Sequence, residues 1–174
     1  MLDGLVHTEM TTHTTIASPV GDLTVVAASG AVVGVYFPDH WYRPERSAFG
    51  VPTKAGFEEV RRQLSEYFSG ERRAFDVRRH GKGDELQQKV WHLIGQVPYG
   101  ETSTYGELAQ VLGDGTTPQD VGAAVGRNPL SILVPCHRIV GSSGKLVGYA
   151  GGLQRKQFLL DLEQKVVERP SRLF

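Results

Sequence analysis

The chain has 174 residues, of which 40% are hydrophobic and 22% charged, with Lys+Arg and Asp+Glu equal at 19 each. That length holds one ordinary domain or two small ones, and the apolar share supports a packed core, which excludes a disordered chain. The zero charge balance excludes a global pull towards nucleic acid or membrane, and the single cysteine, Cys136, excludes an internal disulfide or a multi-cysteine zinc site.

The N-terminus, Met1-Leu2-Asp3-Gly4-Leu5-Val6-His7, lacks the basic region and apolar core of a signal peptide. No apolar run reaches membrane-spanning length, so a cytoplasmic protein without membrane partners is expected. Residues 1–12 read as a loose leader. Thr14–Ile16, Ser18–Asp22 and Leu23–Ala28 read as strand, turn and strand, with Pro19 and Gly21 supplying the turn chemistry. Val32–Phe37 is a third strand, so an antiparallel meander is predicted. Residues 39–53 are irregular, broken by Pro44, Gly50 and Pro52. Phe57, Val60, Leu64, Tyr67 and Phe68 recur at helical spacing, which predicts a helix from about 54 to 69, ended by Gly70. Phe75–Val77 is predicted as a short edge strand, and residues 79–83 as a linker between domains at 13–78 and 84–167.

In the second domain Asp84 is a good cap for a helix carrying Leu86, Val90, Trp91 and Ile94 on one face. Thr104 caps another, with Tyr105, Leu108 and Leu112, ending at Gly113. Thr117-Pro118 opens a third, with Val121 and Val125 inward and Asp120 in its first turn. Two short helices joined through Gly113 and Gly115 make a helix-turn-helix pattern, whose second member is the recognition helix. Ile132–Val134 and His137–Val140 read as strands. Gly141–Gly144 with Lys145–Tyr149 reads as a hairpin wing. A closing helix is expected over 153–165, followed by a polar tail after Val167. The fold class is therefore α+β in two small domains.

Residues 84–168 carry seven Lys and Arg against nine Asp and Glu, so strong nonspecific DNA binding is not expected. The chemistry centres on Val134-Pro135-Cys136-His137-Arg138-Ile139-Val140. A lone cysteine also packs as an inert apolar side chain. Here Pro135 stiffens the turn, and the neighbouring imidazole is a base for the thiol proton; the thiolate is the nucleophile.

This run resembles the O6-alkylguanine-DNA alkyltransferase family. So do Asn128-Pro129, Gly148-Tyr149-Ala150-Gly151-Gly152, Pro98-Tyr99-Gly100-Glu101-Thr102 with Thr104-Tyr105, and the Gln87-Val90-Trp91 helix. The spacing matches without gaps over about 84–165, and the first half is similar, more loosely, to the family's ribonuclease H-like domain with a three-stranded antiparallel sheet and a helix. The resemblance implies a winged helix-turn-helix domain that binds alkylated double-stranded DNA and flips the damaged guanine out of the stack, because its O6-alkyl carbon is unreachable inside the duplex. The alkyl group of O6-alkylguanine, or of O4-alkylthymine, passes irreversibly to Cys136, once per molecule and without a cofactor. His137 takes the thiol proton through a water, Glu163 orients His137, and Tyr105 donates a hydrogen bond to the guanine. The base is held by Val134, by the carbonyls of Cys136 and Ile139, and by amides around Tyr149 and Ala150. DNA is held by Thr104, Gln119, Gly122, Arg127 and Asn128.

The chain departs from the family at three points. Gln119 stands where an arginine often fills the gap left by the flipped base, so Arg127 is a second candidate for that role. Ala150 replaces a serine, and Leu86 a phenylalanine. With no cysteine in the first half and no ligand-spaced cluster among His7, His13, His40, His80 and His92, no metal is expected. A monomer is expected, with cooperative assembly on DNA left open. Two alternatives stand beside the enzyme: an alkylguanine-recognition module that recruits other repair, and a transcriptional regulator on the same winged fold. The intact Cys136-His137 pair argues against the first; the second would need a dimer interface or an effector domain, and the sequence shows no sign of either.

Overall fold

The computed structural model describes residues 10–169. Thr11–Ile16 (β1), Leu23–Ala28 (β2) and Ala31–Tyr36 (β3) form the expected antiparallel meander. Ser29 and Gly30, with φ of 51° and 76°, make the two-residue turn between β2 and β3 whose twist suits a hairpin. Thr11 and Thr12, expected in the leader, open β1; the rest of that leader up to residue 9 lies outside the described residues.

Residues 39–53 are more ordered than their composition suggests. Arg46–Phe49 forms a 3-10 turn, and Val51–Pro52 (β4) pairs parallel to Thr12–His13, giving the sheet order β3-β2-β1-β4. Phe49 causes this, because its ring is buried with Val26 and Tyr36 on one face of the sheet. The other face takes Glu58–Phe68 (α1) through Val60, Leu64 and Tyr67. Phe75–Val77 is not a strand. Its backbone is tied to α1 instead: the buried Gln63 amide donates to the Asp76 carboxylate and accepts from the Asp76 N–H at 3.0 Å. Beyond it, Arg78 and His80 hydrogen-bond Val32 of β3 at 2.9 Å, so the segment joining the halves is fastened to the sheet.

Three helices open the second half: Glu85–Gly95 (α2), Tyr105–Leu112 (α3) and Pro118–Gly126 (α4). Asp84, Thr104 and Thr117 each cap reciprocally with the side chain three residues on, so two orphan amides are satisfied at each start. α2 and α3 both pack on α4, and the Trp91 indole donates to the Ala124 carbonyl at 2.8 Å. Leu153–Val167 (α5) closes the fold. Residues 170–174 of the expected tail lie outside the described residues.

The wing hairpin does not form. Ser103–Thr104 (β5) pairs parallel with Ile139–Val140 (β6), and Lys145–Tyr149 does not return as a strand. The turn itself closes, with the Gly141 amide donating to the Lys145 carbonyl at 2.7 Å, but beyond it Lys156 Nζ donates to the Gly148 carbonyl and the Trp41 amide to that of Ala150, both at 2.9 Å. Ile132–Val134 is likewise a turn, with Ile132 at φ 71°. One hydrophobic core runs through both halves, from Val35, Phe37 and Tyr67 to Ile139, Tyr149 and Leu159.

Candidate active site

Cys136 sits where the chain leaves a tight turn. Asn128 Nδ2 donates to the Val134 carbonyl at 3.0 Å, and its Oδ1 accepts from the Leu130 amide at 3.0 Å. Pro135, at φ −80° and ψ 64°, lets the Cys136 amide reach back to the Val134 carbonyl at 2.8 Å. Cys136 then begins a short 3-10 turn and is only 3% exposed. Burial pushes the thiol up from its ordinary pKa; Asn128, the Lys156 charge and Tyr149 pull it back. Asn128 therefore serves the turn and the thiol together. Asn128→Ala leaves backbone groups unpaired in a buried turn, and is expected to cost about 1–3 kcal/mol in urea unfolding.

His137 is fully buried and points its Nε2 at Glu163 Oε2, 2.6 Å away. Glu163 comes from the third turn of α5 and is the hub of the site. Its Oε2 also accepts from Tyr67 Oη at 2.7 Å and Arg138 Nη2 at 3.1 Å; its Oε1 accepts from Arg138 Nε at 2.8 Å and the Gly100 amide at 3.1 Å. Burial alone would raise the Glu163 carboxyl, but the hydrogen bonds and charges of His137 and Arg138 outweigh it and hold it well below the usual carboxylate range. An ionised carboxylate only accepts, so Nε2 carries the imidazole proton. Burial also lowers His137, against the pull of Glu163. The ring is neutral, and its Nδ1 is a buried lone pair with no protein partner. That is the protonation state a general base needs.

The structure brings most of the other expected residues to the same place. Ile139, Tyr149 and Ala150 are buried and Val134 half-buried around Cys136. Burial raises the Tyr149 phenol strongly, and the Cys136 sulfur beside it adds to the effect. Tyr105 opens α3 next to the thiol; burial and then Cys136 raise its phenol. Gly122 on α4 faces the Tyr105 ring, so a Cβ there would lie 3.8 Å from it. Thr104 is the α3 cap. Gln119 is exposed in the first turn of α4, whereas Arg127 caps the far end and stacks its guanidinium 3.6 Å from the centre of the Tyr42 ring. The two candidates for the vacated base position are thus at opposite ends of one helix.

Sequence reasoning missed Lys156. It is fully buried on α5, 5.9 Å from the Tyr105 ring centre, with its pKa lowered to about 8 by burial against the opposing pull of Cys136. Tyr67, Gly100 and the pairing role of Arg138 were missed as well. Nothing in a helical lysine or a distant tyrosine signals such a position. Among the described residues no three His, Cys, Asp or Glu gather into a metal site, and no helix is long and apolar enough to cross a membrane.

Known proteins resemble this chain over most of its length. Residues 85–165 match the family described as 6-O-methylguanine DNA methyltransferase, DNA binding domain, and residues 11–78 match its ribonuclease-like domain. The chain is 42% identical over 156 residues to a methylated-DNA–protein-cysteine methyltransferase of Mycolicibacterium paratuberculosis, covering 90% of this chain and 94% of the relative. The solved Mycobacterium tuberculosis O6-methylguanine methyltransferase superposes with a TM-score of 0.84 at 40% identity, over 93% of this chain and 96% of that one. A crystal structure of Mycobacterium tuberculosis OGT in complex with DNA gives 0.83 at 39% identity, over 89% and 94%.

Proposed function

The chain belongs to the 6-O-methylguanine DNA methyltransferase family, and from that premise we propose that it repairs alkylated DNA by direct reversal, moving the alkyl group of O6-alkylguanine onto Cys136. The observation that carries this is the buried Cys136 beside a neutral His137 whose Nε2–H is fixed on Glu163. The residues at 84–167 hold the chemistry, and those at 13–78 hold its back wall.

The reaction is an in-line displacement at the alkyl carbon. His137 Nδ1 takes the thiol proton through a bridging water. The sulfur lone pair forms the S–C bond as the C–O6 bond breaks, and that electron pair goes to the guanine. Tyr105 stabilises the developing negative charge by donating a hydrogen bond, and the base takes up a proton to leave as guanine. Lys156 stabilises the thiolate before attack. The carbonyls of Cys136 and Ile139, the Val134 wall and the amides of Tyr149 and Ala150 hold the flipped base. Gln119, from the first turn of α4, fills the vacated position, while Thr104, Gly122 and Arg127 support the DNA; Asn128, expected to hold DNA, is buried with its amide spent on Val134 and Leu130 and acts through the turn that carries Cys136. The thioether has no leaving route, so each molecule acts once. We place it in the cytoplasm as a monomer, where a reduced cysteine persists; O4-alkylthymine is a second substrate.

Intact-protein mass spectrometry tests this. Mixed with a duplex carrying one O6-methylguanine, the protein is expected to gain one methyl group, mapped to Cys136, and Cys136→Ser to gain none. Lesion binding without mass gain would replace the enzyme with a recognition module.

A further inference from the structure

A cleft of about 650 Å³ opens where the Pro38–Pro44 loop of the first half meets the end of α4. Asn128, which braces the Cys136 turn, forms part of its wall, but the cleft is not the lesion pocket, and neither Cys136 nor His137 lines it. Trp41 and Tyr42 stand in it 56% and 60% exposed, on a loop where Tyr42 adopts φ 58°. Arg127 lies flat on the Tyr42 ring, and Lys82 faces the same space from the joining segment. Although the chain as a whole is neutral, no Asp or Glu lines this cleft.

Two large exposed aromatic rings are costly to leave in water and are uncommon away from binding surfaces. A stacked guanidinium keeps its N–H edge free for a phosphate, and an ammonium nearby adds a second cation. Flat apolar faces with cations and no carboxylate match a nucleotide: a base to stack, a phosphate to pair. The volume suits a ligand of that size. The cleft is also continuous with the DNA-binding helix, because Gly126 and Arg127 end α4 inside it.

We propose that this cleft is a second nucleic-acid site, which takes an unstacked nucleotide of a DNA strand, its base on Trp41 and its phosphate between Arg127 and Lys82. The inference rests on the reading of the chain as a DNA-binding protein, but not on transfer to Cys136. It gives the first half of the chain a direct contact with DNA. The same loop is tied to the lesion pocket through the Trp41 amide on the Ala150 carbonyl, at 2.9 Å, and the Phe37 ring against Tyr149, 5.6 Å between centres.

The chain has two tryptophans, and the other, Trp91, is buried at 6%. Tryptophan emission of the full-length protein, titrated with an unmodified single-stranded thymidine oligonucleotide, therefore reads the cleft. The expected result is quenching that is lost in Trp41→Phe. Lys82→Ala should weaken the oligonucleotide about tenfold and lower the slope of log K against log salt by about 0.7, the share of one phosphate contact. Absence of quenching, quenching that survives in Trp41→Phe, an unchanged salt slope, or a response to protein concentration alone would overturn the proposal. Methyl transfer from the lesion duplex, measured on the same preparations, tests the repair function separately. Transfer without quenching sinks the cleft and leaves the enzyme; quenching without transfer does the reverse.

Discussion

Glu163→Gln is expected to destabilise the fold by about 3–5 kcal/mol and to slow alkyl transfer about 10²-fold or more. The carboxylate accepts five hydrogen bonds, from His137, Tyr67, Gly100 and twice from Arg138. A carboxamide supplies one acceptor oxygen; its NH2 meets either Arg138 and the Gly100 amide, which only donate, or Tyr67 and His137, which accept only by giving up their present proton arrangement. Arg138, itself buried, then keeps its charge without a counter-ion. His137 loses the partner that fixes which ring nitrogen carries the proton, so its Nδ1 is no longer reserved as the base. Urea unfolding and single-turnover transfer measure the two effects. Native stability together with a native rate would show that Glu163 does not organise the site.

Acid follows the same logic. The Glu163 pKa is lower folded than unfolded, so its stabilisation is complete above the ordinary value of 4.5 and is lost as pH falls towards the depressed folded value. The His137 pKa is also lower folded than unfolded; below about 6.5 the unfolded chain takes up that proton first and stability drops further. In the glutamine variant the Glu163 part of this acid limb is absent.

Lys156→Met is the second large effect, and it falls on rate rather than on the fold. A nearby cation lowers a thiol pKa by about 1–3 units. Its loss cuts the thiolate fraction at neutral pH by the corresponding factor of about 10–10³. A more basic thiolate is a better nucleophile, with a Brønsted slope of about 0.4–0.5. The net loss in transfer rate at pH 7 is then about 3–60-fold. It narrows as pH rises and the thiol ionises unaided, so the rate profile of the variant shifts to higher pH. Stability moves the other way. Folding lowers Lys156 from 10.5 to about 8, so the unfolded chain holds that proton more tightly, and its burial penalty is relieved as pH rises through that interval. The methionine variant carries no such penalty and lacks that rise. An unchanged rate profile would separate Lys156 from the thiolate.

Local rules made much of this fold legible. Asp84, Thr104, Thr117 and Pro118 announce helix starts by satisfying or removing orphan amides, and all three starts formed there. The meander was readable because short apolar runs meet turn residues at Pro19 and Gly21, and the turn forms there, with the Gly21 amide on the Ser18 carbonyl. The wing was not, because Lys145–Tyr149 follows a turn as a returning strand would, while the Gly148 carbonyl is taken by Lys156 of α5 and that of the next residue but one, Ala150, by the Trp41 amide of the first half. Phe75–Val77 failed for the same reason, captured by Gln63 thirteen residues earlier. At the site, Cys136-His137 stood out by residue type, but Glu163 was found only through family resemblance. A glutamate followed two positions later by a lysine near a helix end looks solvated until tertiary packing buries it. Lys156 offers no signal at all, since only the fold decides which lysine of α5 turns inward.

The unbroken core has a consequence for how the two halves relate. Two sequence families meet in this chain, yet the first half supplies Tyr67 to Glu163 and Phe37 to the ring of Tyr149. A molecule built this way is not modular. Heat or denaturant should take it apart in one cooperative transition, and the second half cannot be cut out without losing both the solvent shield and a proton donor of its own reaction centre. The apparently idle first half is, in thermodynamic terms, part of the nucleophile's environment.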